Sequence, residues 1–214
     1  MFKENKKTLI ITSALTILPI FIGLFLWDQF PDTMATHFNM DNKVDGFSSK
    51  LFTVVGLPLM MLGGHILSAL ITMVDPRRRN ISHKMFSLVL WLMPLISILT
   101  LTMIYAYNLG VPINSNLFVS LLSGLIFLVI GNYLPKMRQN YTIGIKLPWT
   151  MANEENWSRT HRLAGVVWMI AGTLILLSAF IQVLNTEWTL LGLVLLATLI
   201  PTVYSLYLHT QKGL

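Results

Sequence analysis

Six long apolar segments constrain this chain more than any other feature of its sequence. They lie near residues 8–27, 51–74, 85–108, 117–134, 163–184 and 188–209, and they contain no Asp, Glu, Lys or Arg. A helix of about 20 residues crosses the hydrocarbon core of a bilayer, and a spanning segment must satisfy its backbone hydrogen bonds internally. The sequence therefore predicts an all-α, polytopic integral membrane protein with six transmembrane helices.

The basic residues predict the orientation of these helices. Of the 15 Lys and Arg residues, all but Lys43 and Lys50 lie before the first segment, in the second or fourth connection, or after the sixth segment. Basic residues concentrate on the cytoplasmic side of membrane proteins, so both termini are predicted to be cytoplasmic. The net charge of +6 follows from this topology and from attraction to anionic membrane lipids. It requires no direct nucleic-acid partner.

The remaining composition fits a multi-pass membrane protein. Only 11% of the residues are charged, against about 25% in soluble domains. The first apolar segment is too long for a cleaved signal peptide, and WDQF follows it instead of a small-residue cleavage site. It is predicted to be an uncleaved signal anchor.

The first connection, residues 28–50, is called the outer loop because of its predicted side. Its aromatic residues indicate a compact cap on the helix ends, and Thr33–Phe38 is predicted to extend as a short strand or to form an irregular segment. The loop is too long for a simple turn. A structural cap or a binding surface is therefore expected on this side.

Two kinds of metal site were weighed for the outer loop. Asp41, Asp45 and Gly46 resemble the start of a calcium-binding loop, but Lys43 stands at a ligand position. His37 with either aspartate offers an alternative transition-metal site. Turn-capping aspartates with a hydrogen-bonded His37 are the favoured interpretation, so no metal is predicted.

One ionisable residue, His65, lies in the middle of a predicted span beside Gly63 and Gly64. Ionisable residues inside membranes are often functional. A proton relay would need a carboxylate partner, and the predicted spans contain none. A neutral histidine bonded to a neighbouring carbonyl is therefore favoured, and proton-coupled transport has weak support.

Residues 135–160 of the fourth connection are called the inner loop, and they are rich in polar and aromatic residues. The segment from Tyr141 to Trp149 is expected to extend along the membrane interface. Thr150 or Asn153 is expected to cap a helix whose first turn is acidic. This helix is expected to continue into the fifth span.

An acid–base site in the inner loop was weighed against a structural role. Trp157 and His161 lie four residues apart and are predicted to share one helix face. His161 with Glu154 or Glu155 would supply an acid and a base, and Ser158 lies nearby. However, no recognised catalytic motif is present. Neither catalysis nor a cofactor is predicted, and a structural cap or a docking surface for protein, peptide or lipid stays open.

Two stretches, NYTIGIKLPWT and ENWSRTHRLAG, resemble the SdpI family of bacterial membrane proteins. Lys146 stands where the family more often has Arg, which keeps the charge but loses the bidentate fork. The motif positions are Asn140, Gly144, Ile145, Pro148, Trp149, Thr150, Trp157, Thr160, His161, Arg162 and Gly165. The outer loop is similar to a companion domain of unknown function, DUF1648, at Pro31, His37, Phe38, Asn39 and Gly46.

This resemblance implies a multi-pass immunity protein of the bacterial plasma membrane, not an enzyme, that protects the bacterium against a secreted antimicrobial peptide toxin. It also implies a toxin receptor that sequesters a transcriptional repressor at the membrane. The expected partners are membrane lipids, a toxin on the outer face and a cytoplasmic repressor. A small transporter or exporter and a membrane-embedded enzyme are the alternatives.

Three regions and two groups of site residues are expected. The regions are 1–74 with outer loop 28–50, the central helices 75–130, and the SdpI-like region 131–214 with inner loop 135–160. The residues expected to face a toxin are Pro31, His37, Phe38, Asn39 and Gly46. Those expected to form a coupling or docking surface are Asn132, Lys136, Asn140, Gly144, Lys146, Trp149, Thr150, Trp157, Arg159, Thr160, His161 and Arg162.

Overall fold

A computed structural model describes residues 2–39, 42–180 and 186–214. Six of its helices are long and apolar enough to cross a membrane, so the predicted all-α, six-helix membrane fold is confirmed. The cytoplasmic placement of the termini stays a prediction.

The helices are α1 (Phe2–Phe25), α2 (Leu57–Val74, preceded by a π-helical turn at Phe52–Gly56), α3 (His83–Asn108), α4 (Ser115–Tyr133), the short α5 (Pro148–Ala152), α6 (Glu154–Ser178) and α7 (Thr186–Lys212).

The outer loop contains a β-hairpin beside the predicted helices. Strand β1 (Thr33–Phe38) pairs antiparallel with β2 (Val44–Ser49), so the predicted strand is confirmed, whereas its partner was not foreseen. The register shifts around His37, which lies opposite Gly46. A Cβ on Gly46 would lie only 2.7 Å from the Cβ of His37, which explains the glycine at this position.

The structure describes only part of the outer loop residues that were considered as metal ligands. Asp41 lies outside the described residues, so the calcium-loop hypothesis is not addressed there. His37 Nδ1 lies 2.5 Å from Asp45 Oδ1, as expected for a hydrogen-bonded histidine. Within the described ranges, no group of three His, Cys, Asp or Glu side chains is placed to hold a metal ion.

The first of two compact units comprises Met1–Leu70 and Phe86–Val119. Its core unites the hairpin with helix residues, because buried Met34 packs in one cluster with Val54, Leu101 and Tyr105. Asn108 fastens the outer edge of β1. Its amide oxygen accepts from Ala35 N, and its amide nitrogen donates to Ala35 O, both at 2.9 Å. The side chain of Asn108 on α3 thus forms the two backbone hydrogen bonds with Ala35 that a neighbouring strand would otherwise form.

Replacing Asn108 with alanine is expected to loosen the hairpin. The change leaves the N–H and C=O of Ala35, a buried residue, without their partners. Each unsatisfied buried group costs about 1–3 kcal/mol. Hydrogen–deuterium exchange of β1 amides should accelerate, while exchange in α7 stays unchanged. Unaltered exchange at Ala35 would show that the hairpin does not depend on this contact.

His65 is fully buried in the first unit, but its predicted partner was wrong. Its Nε2 lies 3.0 Å from the hydroxyl of Thr12, not against a backbone carbonyl. The Thr12 hydroxyl bonds Thr8 O at 2.8 Å, so it accepts the proton of His65. Helical carbonyls are already occupied, and a threonine on α1 is the nearer acceptor. His65 Nδ1 has no hydrogen-bond partner among the described residues.

The second unit comprises Ile71–Met85 and Ser120–Leu214. Glycines allow α4 and α6 to approach closely within it. A Cβ on Gly165 would lie 2.5 Å from Pro135 Cγ and 2.9 Å from Gly131 O. A Cβ on Gly172 would lie 2.9 Å from Gly124 O. This contact fixes the end of α4 against the start of α6, and the inner loop connects those two ends.

Candidate functional site

The inner loop begins with a turn organised by Asn140. This buried side chain accepts hydrogen bonds from Thr142 N at 2.9 Å and Ile143 N at 2.7 Å. Its amide nitrogen donates to Arg138 O at 2.8 Å. An Asn that bonds the backbone two residues on forms an Asx turn. Asn140 therefore bends the chain at the start of the segment Tyr141–Trp149. The position of this segment along the membrane interface stays a prediction.

Gly144 lies against two aromatic rings from α6. Its φ of +120° falls where side chains other than glycine are strained. A Cβ at this position would lie 2.5 Å from His161 Nε2 and 2.9 Å from the ring of Trp157. Both the backbone conformation and the space therefore require glycine.

His161 fastens the loop to α6 through both ring nitrogens. Nδ1 donates to Trp157 O at 2.8 Å, and Nε2 accepts from Ile145 N at 2.9 Å. This pattern holds the ring in its neutral form with the proton on Nδ1. The rings of Trp157 and His161 stack with centroids 4.0 Å apart, which confirms that they share one helix face. Trp157 Nε1 donates to Met137 O at 2.8 Å, so the pair holds both sides of the loop.

Two polar residues organise the short helix α5 and the start of α6. The hydroxyl of Thr150 accepts from Leu147 N at 2.8 Å and lies 2.8 Å from Ile145 O. The side chain of Asn153 accepts from the backbone of Glu155 and Asn156, as an N-cap of α6 does. The predicted cap at Asn153 is confirmed, and α6 continues into the fifth span as expected.

Ser205 joins α5, α6 and α7. Trp149 Nε1 donates to Ser205 Oγ at 2.7 Å, and the ring of Trp149 stacks on His209. Ser205 Oγ donates to Asn156 Oδ1 at 2.8 Å, and that oxygen also accepts from Thr160 at 3.0 Å. Sequence reasoning missed Asn156 and Ser205, because nothing in either local sequence indicates the partner 49 residues away.

The second connection supplies a carboxylate to the inner loop. Asp75 Oδ2 accepts from Tyr141 N at 2.9 Å and from Thr142 Oγ1 at 2.5 Å, while Oδ1 accepts from Arg77 N at 2.7 Å. Arg77 also donates to the side chain of Gln139. In sequence the second connection stands out for its basic residues, Arg77, Arg78, Arg79 and Lys84. A single acid among its arginines is the one sequence signal that pointed to this role.

Apart from Gly144 and Trp149, which are half-buried, the predicted coupling residues divide into a buried and an exposed group. Asn140, Thr150, Trp157, Thr160 and His161 are buried and hold the loop together. The exposed members form few hydrogen bonds or ion pairs, or none. Lys136 bonds Asn132, Lys146 bonds the carbonyls of Tyr141 and Thr142, and Arg159 pairs with Glu155. The side chain of Arg162 has no hydrogen-bond or ion-pair partner in the part of the chain that the structure describes.

The predicted toxin-facing residues lie in or beside the hairpin of the first unit. Pro31 and His37 are exposed. The ring of Phe38 packs edge-on against Tyr107, with centroids 4.8 Å apart. Asn39 Oδ1 accepts from Lys43 N at 2.9 Å. The hairpin therefore anchors Phe38 and presents His37, together with Asp45, on its surface.

The side chains that could act as acid and base in the inner loop, His161 and Glu155, already form hydrogen bonds or ion pairs within the protein. Both ring nitrogens of His161 bond backbone groups, and Glu155 forms an ion pair with Arg159 at 2.5 Å. A general base needs an available lone pair within reach of its substrate. The geometry of His161 instead favours fastening the loop.

Comparison with known proteins agrees with the residue patterns. Residues 136–205 match the SdpI/YfhL protein family, and residues 14–62 match DUF1648, a domain of unknown function. The immunity protein SdpI of Bacillus subtilis (strain 168) is 24% identical over 209 residues, covering 96% of this chain and 97% of that protein. No solved structure matches significantly. The resemblance to the SdpI family is confirmed.

Proposed function

We propose that this multi-pass bacterial membrane protein, whose likeness to the SdpI family includes its inner loop, is an immunity protein against a secreted antimicrobial peptide toxin. The observation that carries the proposal is the similarity to an immunity protein along nearly the whole length of both chains. The similarity includes the outer hairpin as well as the inner loop. The proposal therefore concerns the entire protein.

The outer hairpin is the proposed site of contact with the toxin. Its surface presents the exposed pair His37 and Asp45, whose side chains are 72% and 44% exposed. Phe47 on β2 is 63% exposed. An exposed aromatic beside charged groups is a common composition of protein–peptide contacts. Asn108 and the core cluster hold the hairpin that carries this surface in place.

The inner loop is the proposed cytoplasmic site that reports toxin binding by retaining a transcriptional repressor. Its buried residues fix the loop, so the partner would contact the exposed cations Lys146 and Arg162. A toxin on one side affects a repressor on the other only if each binds two states of the protein differently. This receptor role is a separate claim from immunity and has a separate test.

Protection is tested by expression in a toxin-sensitive strain. The wild-type protein is expected to raise survival, and His37→Ala is expected to lower it at an equal amount of membrane-inserted protein. Exposed ion pairs contribute about 0–1 kcal/mol to stability, so His37→Ala should not unfold the hairpin. Asp28→Ala, another exposed change in the outer loop, is the matched control and should protect like the wild type.

The outcomes of this test distinguish the claims. Absence of protection by inserted wild-type protein against every related peptide would refute immunity. Full protection by His37→Ala and Asp45→Ala would move the toxin contact away from the hairpin but leave immunity intact. For the receptor role, Lys146→Ala with Arg162→Ala should abolish membrane recruitment of the repressor while protection persists.

A further inference from the structure

A polar cavity of about 480 Å³ opens beside the inner loop in the second unit. Residues from the second connection, the segment that follows α4 and the start of α6 line it. The lining includes charged groups of both signs, namely Lys136 and Arg138 against Glu154. Cavities of about 300–1,000 Å³ are typical of small-ligand sites.

The charged groups of the cavity are available to a ligand. Arg138 and Glu154 are exposed, and neither side chain has an ion-pair or hydrogen-bond partner in the part of the chain that the structure describes. The same holds for the hydroxyl of Ser158. Lys136 has only a 3.3 Å contact to Asn132 Oδ1. Trp157 is held against the cavity wall by its bond to Met137 O.

The length of α6 places the cavity at the level of the lipid headgroups. Its 25 residues span about 37 Å at 1.5 Å per residue, which exceeds the hydrocarbon thickness of about 30 Å. The uncharged apolar run begins only at Leu163, so the segment 154–162 extends beyond the hydrocarbon. Glu154 and Ser158 belong to that segment, and the α4 side of the cavity begins just after Tyr133.

We propose that this cavity binds the zwitterionic phosphoethanolamine headgroup of a membrane lipid. The phosphate meets Arg138 and Lys136, because guanidinium and ammonium groups form charge-assisted hydrogen bonds to phosphate. The ammonium of the headgroup meets the carboxylate of Glu154, and Ser158 supplies a further hydroxyl. The proposal does not depend on immunity.

Mixed charge together with N–H donors distinguishes this headgroup from the other common ones. A phosphatidylglycerol headgroup brings only negative charge, so Glu154 would face it without a cationic partner. A choline headgroup carries methyl groups in place of N–H donors, so it cannot donate to the carboxylate. Phosphoethanolamine alone among the three matches both cations and the acid.

The test measures lipid binding to the full-length protein in detergent by native mass spectrometry. Phosphatidylethanolamine, phosphatidylglycerol and phosphatidylcholine are added with identical acyl chains. Wild-type protein is expected to bind phosphatidylethanolamine best. Arg138→Gln should weaken binding of all three lipids, and that of phosphatidylethanolamine about tenfold, as expected for one lost charge-assisted bond. Glu154→Gln should remove the preference over phosphatidylglycerol.

Two controls separate the headgroup site from general effects. Arg79→Gln removes an exposed cation of the second connection that does not line the cavity, and it should bind lipids like the wild type. Circular dichroism verifies that each variant keeps its helix content. Soluble glycerophosphoethanolamine, added at the lipid concentration, tests whether the ligand is a membrane lipid and should not compete.

The proposal fails under any of three results. These are unchanged phosphatidylethanolamine binding by folded Arg138→Gln, a preference that survives Glu154→Gln, and equal weakening by Arg79→Gln. Full competition by soluble glycerophosphoethanolamine would assign the cavity to a free phosphodiester and overturn the lipid assignment.

Discussion

Replacing Gly144 with alanine is expected to destabilise the second unit by about 3 kcal/mol. Two effects combine, since a strained backbone conformation costs about 1–3 kcal/mol and overpacking costs about 1–3 kcal/mol. Here φ is +120°, and the new Cβ would lie 2.5 Å from His161 Nε2. Relief of that overlap would break the bond from Ile145 N to His161. Thermal unfolding of the protein in detergent, followed by circular dichroism, measures the loss.

Gly110→Ala is the matched control for this change. Gly110 has a φ of +83°, but a Cβ there would meet nothing within 4 Å. The control therefore carries backbone strain of about 1–2 kcal/mol without the overlap. The extra loss at Gly144 measures how firmly His161 and Trp157 are held. An equal loss of stability at the two glycines would mean that the rings of His161 and Trp157 move aside to admit the new Cβ. The loop would then not be held tightly.

Lipid makes the helices of this protein predictable from sequence. A spanning segment must be long, apolar and internally hydrogen-bonded. Helices α1 to α4 can therefore be predicted from the length and composition of their segments. The start of α6 was predictable for a different reason, because Asn153 and the following acids are a local capping signal. The pairing of β1 with β2 had no comparable signal, since register depends on the turn and on contacts such as Asn108 with Ala35.

The candidate site was predictable only where its residues repeat a family pattern. Gly144, Thr150 and His161 belong to that pattern, and the structure gives each a physical reason. Asp75 and Ser205 do not belong to it. Asp75 bonds Tyr141 across 66 positions of the chain, and only the tertiary fold of the second unit brings them together. No local rule of propensity or periodicity reports such a pair.

The division between buried and exposed motif residues changes how the proposed receptor role should be tested. Substitution of Thr150 or His161 removes hydrogen bonds that hold the loop, so a lost signal would have two explanations. Lys146 and Arg162 are exposed. Loss of Lys146 removes its bonds to the carbonyls of Tyr141 and Thr142, but it leaves the buried contacts of Thr150 and His161 intact. Variants of these cations therefore report on docking, whereas variants of the buried residues report on folding.

The second large effect is expected from Asp75→Ala. Asp75 is 3% exposed, and its carboxylate accepts from the backbone of Arg77, the backbone of Tyr141 and the hydroxyl of Thr142. Hydrogen bonds to a charged group contribute about 1.5–3 kcal/mol. Removing the acceptor leaves three donors without their partner, so a loss of about 3 kcal/mol is expected. Hydrogen exchange of the Tyr141 amide should accelerate strongly, because that N–H donates to Asp75.

Two further variants define what the Asp75 contact does. Asp75→Asn keeps one acceptor oxygen and nearly the same volume, so its effect should lie between those of the wild type and Asp75→Ala. Arg79→Ala removes an exposed side chain from the same connection and should leave the Tyr141 amide protected. The second connection then acts as a clamp on the inner loop. Protection of Tyr141 that survives in folded Asp75→Ala would refute the clamp and assign the stability of the loop to His161 and Trp157 alone.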